Sequence, residues 1–534
     1  MEEVATDIYS FETLRNNGFT YVDKTAILKG MADMSCGKQF FVARPRRFGK
    51  SLAVSTLKAL FEGRRDLFKG LAIEPDWDWT KKWPVLHLDM GSVQARSVDE
   101  FRGLLTDHLL DRAKDFGIGG LAGSSPAILF KRLIEALADK SVELCSPKDR
   151  ETWTPQVVLL VDEYDKPLLG HLMKPDVVEF RDELKAFYSV IKTLEAKQRF
   201  TFITGVSKFS IFSDLNNLKD WTMLPQTATL FGYTHEEVRK YFPGRIHALA
   251  ESNGMTDEEA FEKIVNWYDG YKFEENAKPV INPVSLGCCF DAGKFGDYWS
   301  ATAVPTFLID ILKRQPLDFS TLDIDEDDLA TYEPDDPKLV TLLYQTGYLT
   351  IKDFVQMGSV RRFSLRIPNR EIEHSFLKRV VGTYVGQDPS RSSGYAFAAG
   401  QALYAHDVAK FLKALKSFFS DIPYDMTDRQ NEQMWQTIVY IVLKAIGVGV
   451  CGEVRTNDGR IDMVVDLPDD IYIVEFKLDR PAAEAMEQIK GKDYAGKYTL
   501  TKKRVTLVGI SFSAEKRTIV EELVEEIELR KTCA

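Results

Sequence analysis

Residues 39–53 read QFFVARPRRFGKSLA, and the fold turns on how the middle of that stretch is taken. Its end, Gly49-Lys50-Ser51, closes a phosphate-binding loop of the pattern GxxxxGK[ST]. Its beginning departs from the pattern, because Arg44 stands where the first glycine belongs. Such a loop works by aiming backbone N–H groups and a helix N-terminus at phosphate. The lysine adds a point charge and the hydroxyl holds Mg2+. It therefore needs a buried strand before it and a helix after it. QFFVA is an apolar run of strand type and SLAVSTLKALFEG has helical periodicity, so the context is met. Arginine does not enter positive φ as glycine does. Either the loop takes a different shape, with Arg46 and Arg47 meeting phosphate, or these arginines pair with nearby carboxylates.

Working outward, the region to about residue 240 alternates apolar runs with amphipathic stretches. Strands are expected at 39–44, 84–90 (PVLHLDM), 157–163 (VVLLVDE) and 199–206 (RFTFITGV), with helices such as FRGLLTDHLLDRAKDFG between them. Near-continuous apolar runs are what strands covered on both faces require, and the alternation reads as a doubly wound α/β domain with a parallel sheet. VVLLVDE lies about 110 residues beyond the loop and ends in acid. Asp162 at that strand end would hold Mg2+, and Glu163 would polarise an attacking water. In FITGVSKFS, Thr204 or Ser207 ends a further strand and could sense the γ-phosphate.

The chain has 534 residues, too many for one hydrophobic core, with 44% hydrophobic and 28% charged residues. No apolar run spans a bilayer, and the acidic N-terminus is not that of a signal peptide. Six dispersed cysteines without CxxC spacing argue for a reducing cytoplasm and against a zinc module. A net charge of −11 opposes a non-specific nucleic-acid coat but leaves room for a local basic groove. From 240 to 420 the pattern is mostly helical, with a β piece at GYLTIKDFVQMGSVRRFSLRIP (347–368), and reads as a helical lid or winged-helix-like region. The acidic stretch 318–338 reads as a solvated face. The turn-rich GQDPSRSSGYAF (386–397) is the best linker candidate.

A second chemistry lies in GRIDMVVDLPDDIYIVEFKLD (459–479). A hairpin turn over Leu467–Asp470 sets Asp462 directly opposite Glu475, and directly opposed side chains share a sheet face with Cβ atoms about 5 Å apart. Lys477, two residues on, joins that face. Met463, Val465, Val474 and Phe476 point the other way, into a core. Two carboxylates this close repel unless a cation lies between them, and a hard divalent ion suits their oxygens. A lysine beside them can orient a water for attack on phosphorus. The alternative is a solvated outer face with a cross-strand ion pair. Residues 426–534 hold 16 Lys/Arg against 19 Asp/Glu. Any nucleic-acid groove must then be built locally, from Lys490, Lys492, Lys497 and the run Lys502, Lys503, Arg504.

Several ordered motifs, FTYVDKTAIL, ARPRRFGKSL, LLVDEYDKPL, ITGVSKFSIFSDLNNLKDWT, LFGYTHEEVRKYF, NWYDGYKF, INPVSL, YWSATAVPTFL and LLYQTGYLTI, span nearly the whole chain. Through them it resembles the bacterial AAA-ATPase-like proteins with a C-terminal PD-(D/E)XK nuclease domain. In that family the loop reads RPRRFGKS, so Arg44 is a family feature. The resemblance implies an additional-strand P-loop ATPase, with a base-side contact from the segment of Tyr21, Asp23, Lys24 and Thr25. It also implies a restriction-endonuclease-like α/β domain in which Glu432 on the preceding helix and Gln488 on the following one join Asp462, Glu475 and Lys477; Tyr494 is a looser match. The expected layout is an AAA-ATPase-like domain over 1–240, a helical and winged-helix-like middle over 241–385, a helical linker over 386–425 and the nuclease-like domain over 426–534.

The expected function is a cytoplasmic, ATP-hydrolysing protein coupled to a metal-dependent nuclease. ATP, Mg2+ (or Mn2+ at the nuclease site) and nucleic acid, with DNA favoured, are its ligands, and no membrane is involved. A homo-oligomer or a protein partner would engage the helical middle. Two alternatives stand beside this reading. One is an ATP-dependent signalling or defence switch with a gated nuclease effector, and the other is a non-catalytic nucleic-acid-binding module.

Overall fold

In the computed structural model of the chain, the apolar runs pair in parallel. Strands β1 (Gln39–Ala43), β2 (Val85–Asp89), β3 (Val157–Asp162), β4 (Gln198–Gly205) and the short β5 (Lys219–Asp220) form one sheet in the order β2-β3-β4-β1-β5. Every pairing in it is parallel. β1 and β3 are buried at each position, as strands covered on both faces must be. β4 lies between the strand that enters the loop and the strand that ends in Asp162, so it is the added strand that the class requires. The structure describes residues 3–146, 148–210, 217–299, 308, 311, 322–376, 389–420, 432–445, 448–456, 459–498, 501 and 503–527.

Two compact units emerge. The first gathers Met1–Tyr298 and Asp323–Asn369, the second Trp299–Leu322 and Arg370–Ala534. The segment expected over 241–385 is divided between the two. In the first unit, the sheet is followed by helices His235–Tyr241, Pro243–Asn253, Asp257–Tyr268 and Pro283–Ala292, which close on a core that includes Phe242, Leu249, Ile264 and Leu286. Two of these helices start at capping boxes, Thr234 with Glu237 and Thr256 with Glu259, in which each partner satisfies the other's orphan N–H. The unit also holds a three-stranded antiparallel sheet of β6 (Asp323–Asp325), β7 (Thr350–Met357) and β8 (Val360–Arg366), ordered β6-β8-β7.

The second unit is built on a five-stranded mixed sheet of β9 (Val450–Thr456), β10 (Gly459–Asp466), β11 (Asp470–Leu478), β12 (Arg504–Ser513) and β13 (Thr518–Ile527). β11 and β12 are parallel and the other pairs antiparallel. Helices Pro389–Tyr404, Val408–Ser420, Glu432–Ala445 and Ala482–Gly491 complete it. The fold is α/β throughout, and no described helix is long and apolar enough to cross a membrane.

One expectation changes and another is extended. The linker expected at 386–397 is helical from Pro389 onward; residues 386–388 lie outside the described set. Proline at a first helical position costs nothing, and the Ala-rich AFAAGQALY behind it propagates the helix. The acidic stretch, exposed as expected at Asp323, Asp325 and Asp327, also takes regular structure. Its described part forms β6 and the helix Glu326–Ala330, and basic residues meet it: Arg362 reaches Asp325 at 3.1 Å, Arg361 reaches Glu326 at 2.7 Å and Lys338 reaches Asp328 at 2.5 Å.

Candidate functional site

The loop after β1 resolves the question of Arg44. Its backbone is not in the left-handed region; positive φ is taken instead by Arg47 (67°) and by Gly49 (93°), which immediately precedes the helix Lys50–Phe61. The Arg44 side chain is 1% exposed and forms part of the core. Its guanidinium donates to the carbonyls of Ala43, Thr222 and Thr227 at 2.6–2.9 Å and lies 4.2 Å from the centroid of the Phe273 ring. Burial lowers its pKa to about 10. Carbonyl oxygens and a ring face thus hold a buried cation where other loops have a glycine.

Lys50 is buried and donates to the carbonyls of Arg44 and Pro45, both at 2.9 Å. Burial lowers its pKa, while Asp162, Asp165 and Glu163 raise it, in that order. Asp162, at the end of β3, is buried; desolvation pushes its carboxyl up, and a hydrogen bond from the Ser51 side chain and the charge of Lys50 pull it down. Lys50, Ser51 and Asp162 therefore meet at one point, at the N-terminus of a 12-residue helix. Arg46 lies close enough to depress Lys50 further, and Arg47 donates to the carbonyl of Tyr298 at 3.1 Å. Glu163 takes a left-handed backbone (φ 49°) and is partly exposed, 3.6 Å from Lys166. The Glu163 carboxylate lies against Gly91, where a Cβ would stand 2.6 Å from it.

An apolar cavity adjoins this loop. Arg47, Phe48, Gly49 and Leu52 line it from the loop and helix, and Tyr21, Lys24 and Tyr233 line it elsewhere. With its Nζ 2.6 Å from Glu237, Lys24 faces this cavity beside Tyr21. Asp23 is held elsewhere: one of its oxygens accepts from Thr25 N and Oγ1 and the other from Ala72 N, so it caps helix Thr25–Ala32. Thr204 is also held elsewhere. It is fully buried and donates to the carbonyl of Val42 at 2.7 Å, between β4 and β1. Ser207, the alternative, is buried with its N–H on Asp165.

Sequence reasoning passed over Asp165. It is almost fully buried, and its Oδ2 accepts from the N–H groups of Val206 and Ser207 at 3.0 and 2.7 Å, which ties the end of β4 to the segment after β3. Burial pushes its carboxyl up to about 6. A second acid two residues beyond a DE pair was the available signal.

In the second unit the hairpin has the register that its turn sets. Leu467 N donates to Asp470 O at 2.8 Å, and Met463 pairs with Val474, Val464 with Ile473 and Val465 with Tyr472. One step on, Asp462 N lies 3.4 Å from a Glu475 carboxylate oxygen, and Phe476 N donates to Asp462 Oδ2 at 2.9 Å. The structure thus brings Asp462 and Glu475 to one point. Lys477 Nζ lies 3.4 Å from Glu475 Oε1 and donates to the Phe476 carbonyl at 3.0 Å. Gln488 Nε2 also donates to Glu475 Oε1 and lies 3.5 Å from the Tyr494 hydroxyl.

This face is not a solvated one. Glu475 is 1% and Lys477 5% exposed, under helix Ala482–Gly491, whose Met486 and Ile489 pack with Val464, Ile471 and Ile473. Phe476, pointing the other way, stacks on Phe512. Gly509, opposite Glu475 on β12, lets the helix come this close: a Cβ there would meet the Ala482 carbonyl oxygen at 2.8 Å. A glycine inside a strand pattern signals such an approach. Burial and then Asp462 push the Glu475 carboxyl up to about 7, with Lys477 opposing them. Two acids held together against their own repulsion, beside a carbonyl oxygen, fit a hard divalent cation. Among the described residues no group of three or more His, Cys, Asp or Glu gathers, so the described part of the site supplies two carboxylates. Glu432 opens the helix Glu432–Ala445, but its side chain lies outside the described residues, as does Lys502. Of the cations proposed for a groove, Lys490 pairs with Glu525 at 2.6 Å, Lys503 with Asp466 at 2.5 Å and Arg504 with Asp470 at 3.2 Å.

A parallel sheet with an added strand, a loop of phosphate-loop sequence leading into a helix and a separate mixed sheet bearing D…ExK define a P-loop ATPase-like protein with a nuclease-like domain. Comparison with known proteins agrees. The family described as predicted AAA-ATPase matches residues 5–213, and the PD-(D/E)XK nuclease superfamily matches residues 430–522. A protein of Azotobacter chroococcum mcd 1, described as an uncharacterized protein in the vnfD 5′ region, is 34% identical over 537 residues, covering 97% of this chain and 98% of its own. The chain belongs to the family of bacterial AAA-ATPase-like proteins that carry a C-terminal PD-(D/E)XK nuclease superfamily domain. A structure of the Aeropyrum pernix ORC2 protein in ADPNP–ADP complexes aligns over 89% of this chain and 94% of its own, at 9% identity and a TM-score of 0.31, a level that decides nothing about function.

Proposed function

We propose that this chain binds and hydrolyses ATP in its first unit and cleaves phosphodiester bonds of nucleic acid, with DNA the favoured substrate, in its second. The observation that carries the nuclease reading is the meeting of Asp462, Glu475, Lys477 and Gln488 at a buried point of the β10–β11 hairpin. Asp462 and Glu475 would hold the cation, and Lys477 and Gln488 fix the Glu475 carboxylate that faces it. The bound cation supplies a Lewis acid for the phosphodiester and lowers the pKa of water. Lys477 orients the nucleophile and offsets negative charge at phosphorus.

For ATP, Lys50 and the N–H groups opening helix Lys50–Phe61 receive the phosphates, with Arg46 and Arg47 beside them. Ser51 and Asp162 hold the nucleotide's Mg2+, Glu163 directs water, and the cavity lined by Tyr21 and Lys24 takes the base. Supercoiled plasmid incubated with Mg2+ or Mn2+, with and without ATP, tests the reading. Metal-dependent nicking supports it. Plasmid that stays intact but is retained by the protein favours a binding module instead.

A further inference from the structure

The groove between helices Pro389–Tyr404 and Val408–Ser420 is unlike the rest of an acidic chain. It lies wholly in the second unit and has a volume of ≈ 930 Å³. Phe397 and Tyr404 stand two turns apart on one face of the first helix, 60% and 55% exposed. Lys410 and Lys413, one turn apart on the second helix, form the facing wall, and the rest of the lining is largely alanine and glycine. Small residues between two packed helices leave a hollow, and both aromatic side chains are more than half exposed beside it. Among the described residues none that lines the groove is acidic, although the chain carries a net charge of −11. Lys410 reaches Asp407 at 2.7 Å, but among the described residues no acid pairs with Lys413.

We propose that this groove binds single-stranded nucleic acid, with bases stacked on Phe397 and Tyr404 and a phosphate on Lys413. Every base has a π-face, and a backbone-tracking cation beside aromatic rings is what a strand without fixed sequence needs. A duplex is excluded by geometry, because its bases are already stacked on each other and cannot reach the rings. An apolar protein helix would bury the lysine wall without a counter-charge. Of the other cations weighed for a groove, Lys490, Lys503 and Arg504 are engaged with acids. The inference rests on reading the chain as one that acts on nucleic acid, and adds a holding site apart from Asp462 and Glu475.

Fluorescence anisotropy of the full chain, in EDTA so that nothing is cut, tests it with a labelled single strand of about a dozen nucleotides and the matching duplex. The single strand is expected to bind more tightly than the duplex. Phe397→Ala and Tyr404→Ala should each weaken it by about fivefold or more. Phe397→Tyr should restore affinity, and Lys413→Ala should flatten the salt dependence. Both rings are exposed, so these variants should melt as wild type does. Unchanged single-strand affinity in the Phe397→Ala/Tyr404→Ala double variant overturns the proposal, as does duplex binding equal to that of the single strand. The two readings fail separately. If plasmid is never cut but strand binding needs the rings, the groove stands without the nuclease. If Asp462→Ala abolishes cutting while ring removal leaves strand binding unchanged, the nuclease stands without the groove.

Discussion

Lys50 is buried and held by the carbonyls of Arg44 and Pro45, and the proposed role has phosphate take their place. Lys50→Ala should weaken ATP binding at least about tenfold, or about 1.4 kcal/mol, in calorimetry; unchanged affinity would remove the loop from nucleotide binding. Glu163 differs, since it stands one residue beyond Asp162, partly exposed, with its carboxylate against Gly91. Glu163→Gln should therefore keep ATP affinity and lose turnover by about tenfold or more. Phosphate release at the wild-type rate would assign the water to another group. At this scale the sequence was legible where chemistry coincides with a strand end, as at Asp162, or with a helix start, as at Lys50 and Ser51. It was not legible where a polar group serves the backbone. Thr204 and Asp23 have the residue types of a nucleotide site, yet the hydroxyl of one bridges two strands and the carboxylate of the other caps a helix.

At the scale of elements, the β10–β11 hairpin was readable because a four-residue turn and a period of two fix the register of every pair. What covers the hairpin was not readable, since side-chain alternation does not say which face a later helix closes on. The answer lies in Gly509, where the absence of a side chain admits helix Ala482–Gly491 and with it Gln488. Gly509→Ala must displace backbone, and should cost about 1–3 kcal/mol of stability and loosen Gln488 from Glu475. A drop in melting temperature together with weaker Mn2+ binding is expected; an unshifted melt would mean the helix sits less tightly.

The same closure predicts a pH dependence. Burial and Asp462 raise the Glu475 carboxyl to about 7, so a cation must displace a proton there. Mn2+ affinity should rise about tenfold from pH 6 to pH 8. For the metal-free protein the sign is opposite. A carboxyl raised in the folded state contributes stability below the ordinary glutamate range, and that contribution is lost as pH rises through about 7. Melting in EDTA should then fall across that interval while melting in Mn2+ does not. Identical pH profiles with and without metal would separate Glu475 from the cation.

For the whole molecule, strand–helix alternation, the acid-ended strand 157–163 and the D…ExK hairpin sufficed to place an α/β ATPase-like body before a second α/β domain. The middle was less legible. Its antiparallel β7–β8 hairpin was visible as a β piece, whereas β6 was hidden in an acidic run because Asp and Glu are poor strand formers whose pairing with Arg361 and Arg362 is tertiary. Charge balance was a weak guide in the same way. A net of −11 does not show that a groove lined by Lys410 and Lys413 holds no acid among its described lining residues. If the second unit cuts phosphodiester bonds at the Asp462–Glu475 pair, cutting depends on Asp462. The rate of supercoiled-plasmid nicking in Mn2+ is compared for the full chain and Asp462→Ala, with circular dichroism matched between them. Nicking by the full chain that is lost by about a hundredfold or more in the variant is the predicted result. Equal nicking by both proteins, or none by either in any divalent cation, would contradict it.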